Sequence, residues 1–164
     1  MNKVFDYLDT LGIKYDIVYH KAAFTTIDAD KYIEGKEGVR SKTLFMSGRK
    51  NRKFYLIIMD ENKRVDIKSL NELLNEKLSF ASSEYLKQKL GLSPGVVSLF
   101  GLLNNIEHDV NVVVDKELLN ESIMTFHPND NTATIFISMS DMFKILDDLK
   151  YEYKITNLWY NRVK

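Results

Sequence analysis

Few residues in this 164-residue chain combine type and spacing in a way that could do chemistry. The sharpest string is Gly91-Leu92-Ser93-Pro94-Gly95, which matches G-x-S-x-G, the turn that presents the nucleophilic serine of α/β-hydrolases. The match fails at one position. That turn takes an oxyanion donor from the backbone N–H of the residue after the serine, and Pro94 has none. The context is also reversed, with a helical pattern before the first glycine and an apolar, strand-like run after the second. Gly91 as a helix C-cap and Pro94 as a stop suffice to explain the string. The three histidines, His20, His108 and His127, show no i, i+4 pairing and have no cysteine companion, so only the fold could assemble them into a metal site. With no cysteine in the chain, thiolate nucleophiles, disulfides, thiolate zinc sites and iron–sulfur clusters are excluded together. Neither glycine-rich phosphate loop pattern occurs. No metal and no cofactor is expected.

Charge narrows the partners. Lys plus Arg and Asp plus Glu are equal at 23 each, so a uniformly basic nucleic-acid surface is excluded, because counterion release needs concentrated positive charge. A local patch is not. Residues 40–53 (RSKTLFMSGRKNRK) hold six basic side chains and no acidic one. They read either as a solvated hairpin turn or as a phosphate contact. The longest apolar run, residues 96–103, is far short of the roughly 20 residues that span a bilayer, and the first ten residues lack the apolar stretch of a signal peptide. A soluble, cytoplasmic protein without a membrane partner is the expectation.

Such side chains must be held by regular elements. Val4, Phe5, Leu8 and Leu11 share one helical face, and Gly12 stands where a C-cap would. Residues 15–20 read as a strand, and a short helix is expected near 26–33. Residues 42–46 and 53–59 read as paired strands, with Ser47, Gly48 and the basic residues supplying the turn. Asp66 can cap one helix and Ser82 or Ser83 another that ends at Gly91. Residues 96–103, 110–115 and 132–138 read as further apolar strands. Ser138 with Asp141 marks the start of a helix carrying Met142, Ile145, Leu146 and Leu149, and 151–156 closes as a last strand. About seven strands with interspersed helices, some joined by short turns, predict an α+β fold with a compact mixed sheet or barrel.

Three stretches, HKAAFTT (20–26), SKTLFM (41–46) and LSFASSEYLKQKLGLSPGVVSLFGLLNN (78–105), followed by VNVVVDKELL and FHPNDNTATIFIS (126–138), resemble in order and spacing the YbaK-type aminoacyl-tRNA editing domain. Within that family they look like its freestanding prolyl-tRNA editing proteins of the ProX type. The resemblance covers nearly the whole chain and implies one editing domain over 1–164, a compact mixed-sheet barrel flanked by helices. It implies hydrolysis of the ester between a wrong amino acid and tRNA, here alanine on proline tRNA. Lys42 matches the family's essential lysine. Gly95 opens the turn near the reacting ester, Ser98 lies on the same stretch, and His127 matches the histidine of the F-H-P element. Phe24 and Thr25 match the early segment that walls the aminoacyl pocket, and Thr43 follows the lysine. One position departs: many relatives have proline four residues after the loop glycine, where this chain has Leu99.

Lysine has an unperturbed pKa near roughly 10.4, so Lys42 is expected as a cation that positions the terminal nucleotide or stabilises the tetrahedral ester, and not as a base. Without the resemblance it would read as an exposed strand-edge lysine. Backbone N–H groups of the 95–98 turn would add oxyanion donors. With Ser93 set aside and no thiol present, water is the expected nucleophile. His127 could shape the pocket, act as base, or be structural; in the family the substrate's own ribose hydroxyl is implied in activating water. A synthetase pocket sized for proline cannot reject alanine strongly, because missing methylenes are worth only roughly 1–3 kcal/mol, whereas a second, smaller site can exclude the proline ring. Phe24, Ile27 and His127 are the candidate wall. Arg49, Lys50, Arg52 and Lys53 are the candidate contacts to acceptor-stem phosphates, and a prolyl-tRNA synthetase is a possible partner. A Cys-tRNA deacylase and a non-catalytic tRNA-binding module remain alternatives on the same scaffold.

Overall fold

The computed structural model describes residues 1–158 and 160–162. Helix α1 (Asn2–Leu11) ends at Gly12 in the left-handed region and buries Val4 and Leu8. Strand β1 (Asp16–Tyr19) leads to α2 (Thr26–Tyr32), whose N-cap Thr25 accepts from the Asp28 amide at 3.1 Å. Strands β2 (Ser41–Ser47) and β3 (Phe54–Asp60) form an antiparallel hairpin with Ser41 opposite Asp60 and Ser47 opposite Phe54. After β4 (Lys63–Val65), Asp66 caps α3 (Ile67–Leu74). The two-residue β5 (Ser79–Phe80) precedes α4 (Ser83–Leu90), which is capped by Ser82 and terminated by Gly91 at φ 67°. Then come β6 (Val110–Asp115), β7 (Ile123–Phe126), β8 (Ala133–Ser138), α5 (Met139–Asp148), β9 (Tyr153–Thr156) and β10 (Tyr160–Arg162).

A five-stranded mixed sheet has the order β5-β2-β3-β6-β9, antiparallel from β5 to β3 and parallel from β3 through β9. A three-stranded antiparallel sheet has the order β1-β8-β7, and β4 pairs with β10. The two larger sheets meet where Val39 bridges Met124 and the Thr125 hydroxyl donates to the Val39 carbonyl at 2.7 Å. Their inner faces, with α1, α4 and α5, enclose the main core around Leu56, Phe100, Val112, Ile135 and Leu146. The opposite face of the β2–β3 hairpin packs Met46, Ile57 and Met59 against Leu70 of α3. Alternate residues of a strand face opposite ways, so neighbours along β2 and β3 serve two different cores.

The mixed α+β architecture expected from the sequence is present. One strand assignment is wrong: residues 96–103 form no strand. Ser98 accepts from the Phe100 amide and starts a 3₁₀ turn over Leu99–Asn104, with Leu99 through Leu102 buried. A short run that is buried on every side carries no period to separate strand from helix. At Gly101 a Cβ would lie 2.9 Å from the Leu92 side chain, so the turn is pressed directly against the segment after α4. Strands β4, β5, β7 and β10 are additions.

Candidate active site

The junction of the two sheets holds a cavity of about 180 Å3. Strand β2 contributes Ser41 and Thr43. The same alternation carries Lys42, which lies between them, to the other face. There it is half-buried and its Nζ donates to the Lys63 carbonyl of β4 at 2.7 Å. Burial lowers its pKa below the ordinary lysine value, the Arg64 charge adds to this, and Glu61 and Asp60 oppose it. The lysine expected in the cavity is therefore behind its wall, because the strand pleat decides its side.

Helix α2 turns Ala29, Asp30 and, just past its end, Ile33 toward the cavity. Ile27, one of the expected wall residues, does not line it and is 68% exposed. Phe24 and Thr25 do line it, but Phe24 is 78% exposed and forms a lip more than a closed wall. From the other sheet come Thr125, Phe126, His127 and Thr134. The His127 Nδ1 lies 3.1 Å from the Ala133 carbonyl. A carbonyl only accepts, so Nδ1 carries the proton and Nε2 is the unprotonated nitrogen of the neutral ring. Burial holds the His127 pKa below its ordinary value. His20, stacked on Tyr32, meets the Thr134 hydroxyl at 3.0 Å and so supports this wall from outside.

The loop after α4 supplies Gly95 and Val97. Gly95 has φ +86°, which an L side chain rarely adopts. The backbone N–H groups of Gly95 and Val97 make no hydrogen bond among the described residues. Ser98 is only 1% exposed and does not line the cavity. Ser93 sits on no nucleophile turn: α4 precedes it, and the next helical element is the 3₁₀ turn beginning at Leu99.

Three charged wall residues escaped the sequence reading. Arg40 donates to the carbonyls of Gly38, Ile33 and Lys36 at 2.8, 3.0 and 2.8 Å and so locks the chain between α2 and β2. The Glu61 amide donates to the Arg40 carbonyl at 2.9 Å. The Glu61 carboxyl pairs with Asp30, and its pKa is pushed up to about 9 by burial first and then by the Asp30 hydrogen bond and charge, against the pull of Arg40. The hairpin register held the signal: with Ser41 opposite Asp60, residues 40 and 61 fall together at its open end.

Arg49, Lys50, Arg52 and Lys53 are exposed in the turn at the closed end of the hairpin. The Arg49 amide donates to the Glu76 carboxylate at 2.8 Å. Six residues of strand, about 20 Å, separate this turn from the cavity end of β2. Among the described residues no group of three or more His, Cys, Asp or Glu side chains is arranged to hold a metal, and no helix is long and apolar enough to cross a membrane.

Comparison with known proteins places these features. Residues 20–145 match the model of the aminoacyl-tRNA editing domain. The chain is 39% identical over 141 residues to the prolyl-tRNA editing protein ProX of Acetoanaerobium sticklandii, covering 85% of each chain. It is 27% identical over 139 residues to the prolyl-tRNA synthetase associated domain-containing protein 1 of Mus musculus, covering 82% of each. A solved structure described as a candidate trans-editing enzyme for prolyl tRNA synthetase superposes with a TM-score of 0.73 at 19% identity, over 96% of this chain and 94% of that one. At that identity the likeness concerns the fold.

Proposed function

The chain belongs to the aminoacyl-tRNA editing domain family, and from that premise we propose that it is a trans-editing hydrolase, active in the cytoplasm, that releases alanine from mischarged proline tRNA. The observation that carries the reading is the cavity: about 180 Å3, small enough for a short aminoacyl group, with His127 and the Gly95–Val97 loop in its walls. The ProX relative is itself named for prolyl-tRNA editing. The paired Asp30 and Glu61 carboxyls in the cavity wall complement the ammonium of an aminoacyl ester.

The chemistry assigned to this site is attack by water on the ester carbonyl. As the carbonyl becomes tetrahedral, its oxygen gains negative charge, and the unbonded amides of Gly95 and Val97 are the donors we assign to it. Removing one such donor typically slows an enzyme by roughly 100- to 1000-fold. The unprotonated Nε2 of His127 accepts from a hydroxyl or from the attacking water. Lys42 acts from behind the wall as a positioning residue, fixing β4 through the Lys63 carbonyl and lending positive charge beside Glu61.

The test is deacylation of proline tRNA charged separately with alanine, cysteine, serine and proline, by wild type and by Lys42→Ala. Alanine is expected to leave fastest and proline to stay. Release of alanine no faster than the uncatalysed blank overturns the enzyme reading, and preferential release of cysteine overturns the substrate. A Lys42→Ala protein as active as wild type removes the lysine from the mechanism.

A further inference from the structure

An aminoacyl ester brings the terminal nucleotide of the tRNA to within one sugar of the reacting carbonyl, yet the cavity does not hold it. Its volume of about 180 Å3 is below the roughly 300–1,000 Å3 that encloses drug-sized ligands. There is room for a small aminoacyl group and none for the adenosine that carries it. The base must rest on a neighbouring surface.

A second depression of about 210 Å3 opens directly beside the first. The two share Thr43, Gly95 and Val97 as a common wall. At Gly95 this wall is low: an added Cβ would meet nothing nearer than the Phe24 carbonyl at 4.0 Å. Beyond it the lining is Leu44, Phe45, Phe80, Ala81, Leu86 and Pro94, with Ser83 the one further hydroxyl and no charged side chain among the described residues. Phe80 is 63% exposed although its backbone is fixed, because β5 pairs Phe80 with Met46 and the next amide, that of Ala81, donates to the Phe45 carbonyl at 3.1 Å. Phe80, opposite Met46, stands on the Leu44–Met46 side of the sheet edge, and its exposed ring at the rim of this uncharged, apolar groove offers a π-face to a flat heterocycle. Phe24, an exposed ring on the far lip of the cavity, is followed closely by Asp28 and Asp30 and lines no part of this groove.

We infer that this groove binds the terminal nucleobase of the tRNA, stacked on Phe80, while the aminoacyl group crosses the Thr43–Gly95–Val97 wall into the adjoining cavity. The inference rests on the deacylase reading above and extends it to a base subsite. Stacking reads no hydrogen-bond pattern, so the groove supplies affinity for any adenosine terminus, and choice of the amino acid stays with the cavity.

Two measurements test it. Adenosine 5′-monophosphate, the free form of the terminal nucleotide, is titrated into isotope-labelled protein and followed by NMR; the largest shifts are expected at Phe80, Ala81 and Val97, and to be lost in Phe80→Ala. In deacylation of alanyl-tRNA, Phe80→Ala is expected to raise KM by roughly 5- to 150-fold, the loss that one base–aromatic stack carries, with Phe80→Trp restoring most of it. Shifts centred on Phe24, or a Phe80→Ala protein with wild-type KM, overturn the subsite and leave the deacylase reading intact. Nucleotide shifts at Phe80 in a protein that releases no amino acid keep the subsite and overturn the deacylase.

Discussion

The hydroxyl of Ser98 donates to the backbone carbonyl of His127 at 2.6 Å. This single bond ties the loop that carries Gly95 and Val97 to the turn that carries the cavity histidine, across 29 positions of sequence. Ser98→Ala leaves that carbonyl without its partner and is expected to destabilise the fold by roughly 1–3 kcal/mol. Because the two walls of the cavity then lose their tie, deacylation at a temperature where the variant is fully folded should fall as well. Denaturant unfolding together with turnover checks this, and a variant that is destabilised yet fully active would confine Ser98 to stability.

Glu61 makes stability depend on pH. Its folded pKa is about 9, against an ordinary value of 4.5, so between those two values the folded state holds a proton that the unfolded state has released. Stability from this group is complete below pH 4.5 and declines as pH rises toward 9. Glu61→Gln keeps a neutral side chain throughout. It is expected to flatten the decline and to raise the unfolding midpoint at pH 8 relative to wild type, as thermal unfolding across the window would show.

His127 predicts both a pH profile and a specificity change. Burial keeps its pKa below 6.5, so the ring is neutral at pH 7 and gains a proton only in more acidic solution. The acid limb of the deacylation rate is expected below pH 6.5. His127→Ala should enlarge the cavity and admit the proline ring. Release of proline from correctly charged tRNA, absent in wild type, is the readout; continued rejection of proline would move the size filter to another wall residue.

The basic turn is expected to act at a distance. Charge reversal at Arg49 and Arg52 should weaken tRNA binding and reduce the slope of log affinity against log salt by about 0.9 for each duplex phosphate that is no longer neutralised. The rate on bound substrate should hold, since the turn lies about 20 Å from the cavity. An unchanged slope would make these residues a solvated turn.

Local chemistry was legible in the sequence wherever a few neighbouring residues decide the outcome. Asp66, Ser82 and Ser138 cap the helices read from them, and Gly12 and Gly91 end two. The failed nucleophile motif was legible in the same way, since Pro94 alone breaks it. Two features were not. The side on which Lys42 emerges depends on which face of β2 meets β7, a long-range fact that a motif string does not contain. The Asp30–Glu61 pair joins residues from α2 and the open end of a hairpin, and neither residue has a distinctive neighbour.

The register of β1 on β8, Asp16 opposite Phe136, sets the order in which the site can come into being. A chain emerging from the ribosome completes β2, β3 and β6, and with them the Thr43 and Gly95 sides of the cavity, before the turn that carries His127. The strand that receives β1, and the turn that carries His127, are made more than a hundred residues after β1. Between the completion of β6 at Asp115 and that of β8 at Ser138, a nascent chain displays a pocket with one side only. The His127 and Thr134 side of the cavity is the last of its walls to be made.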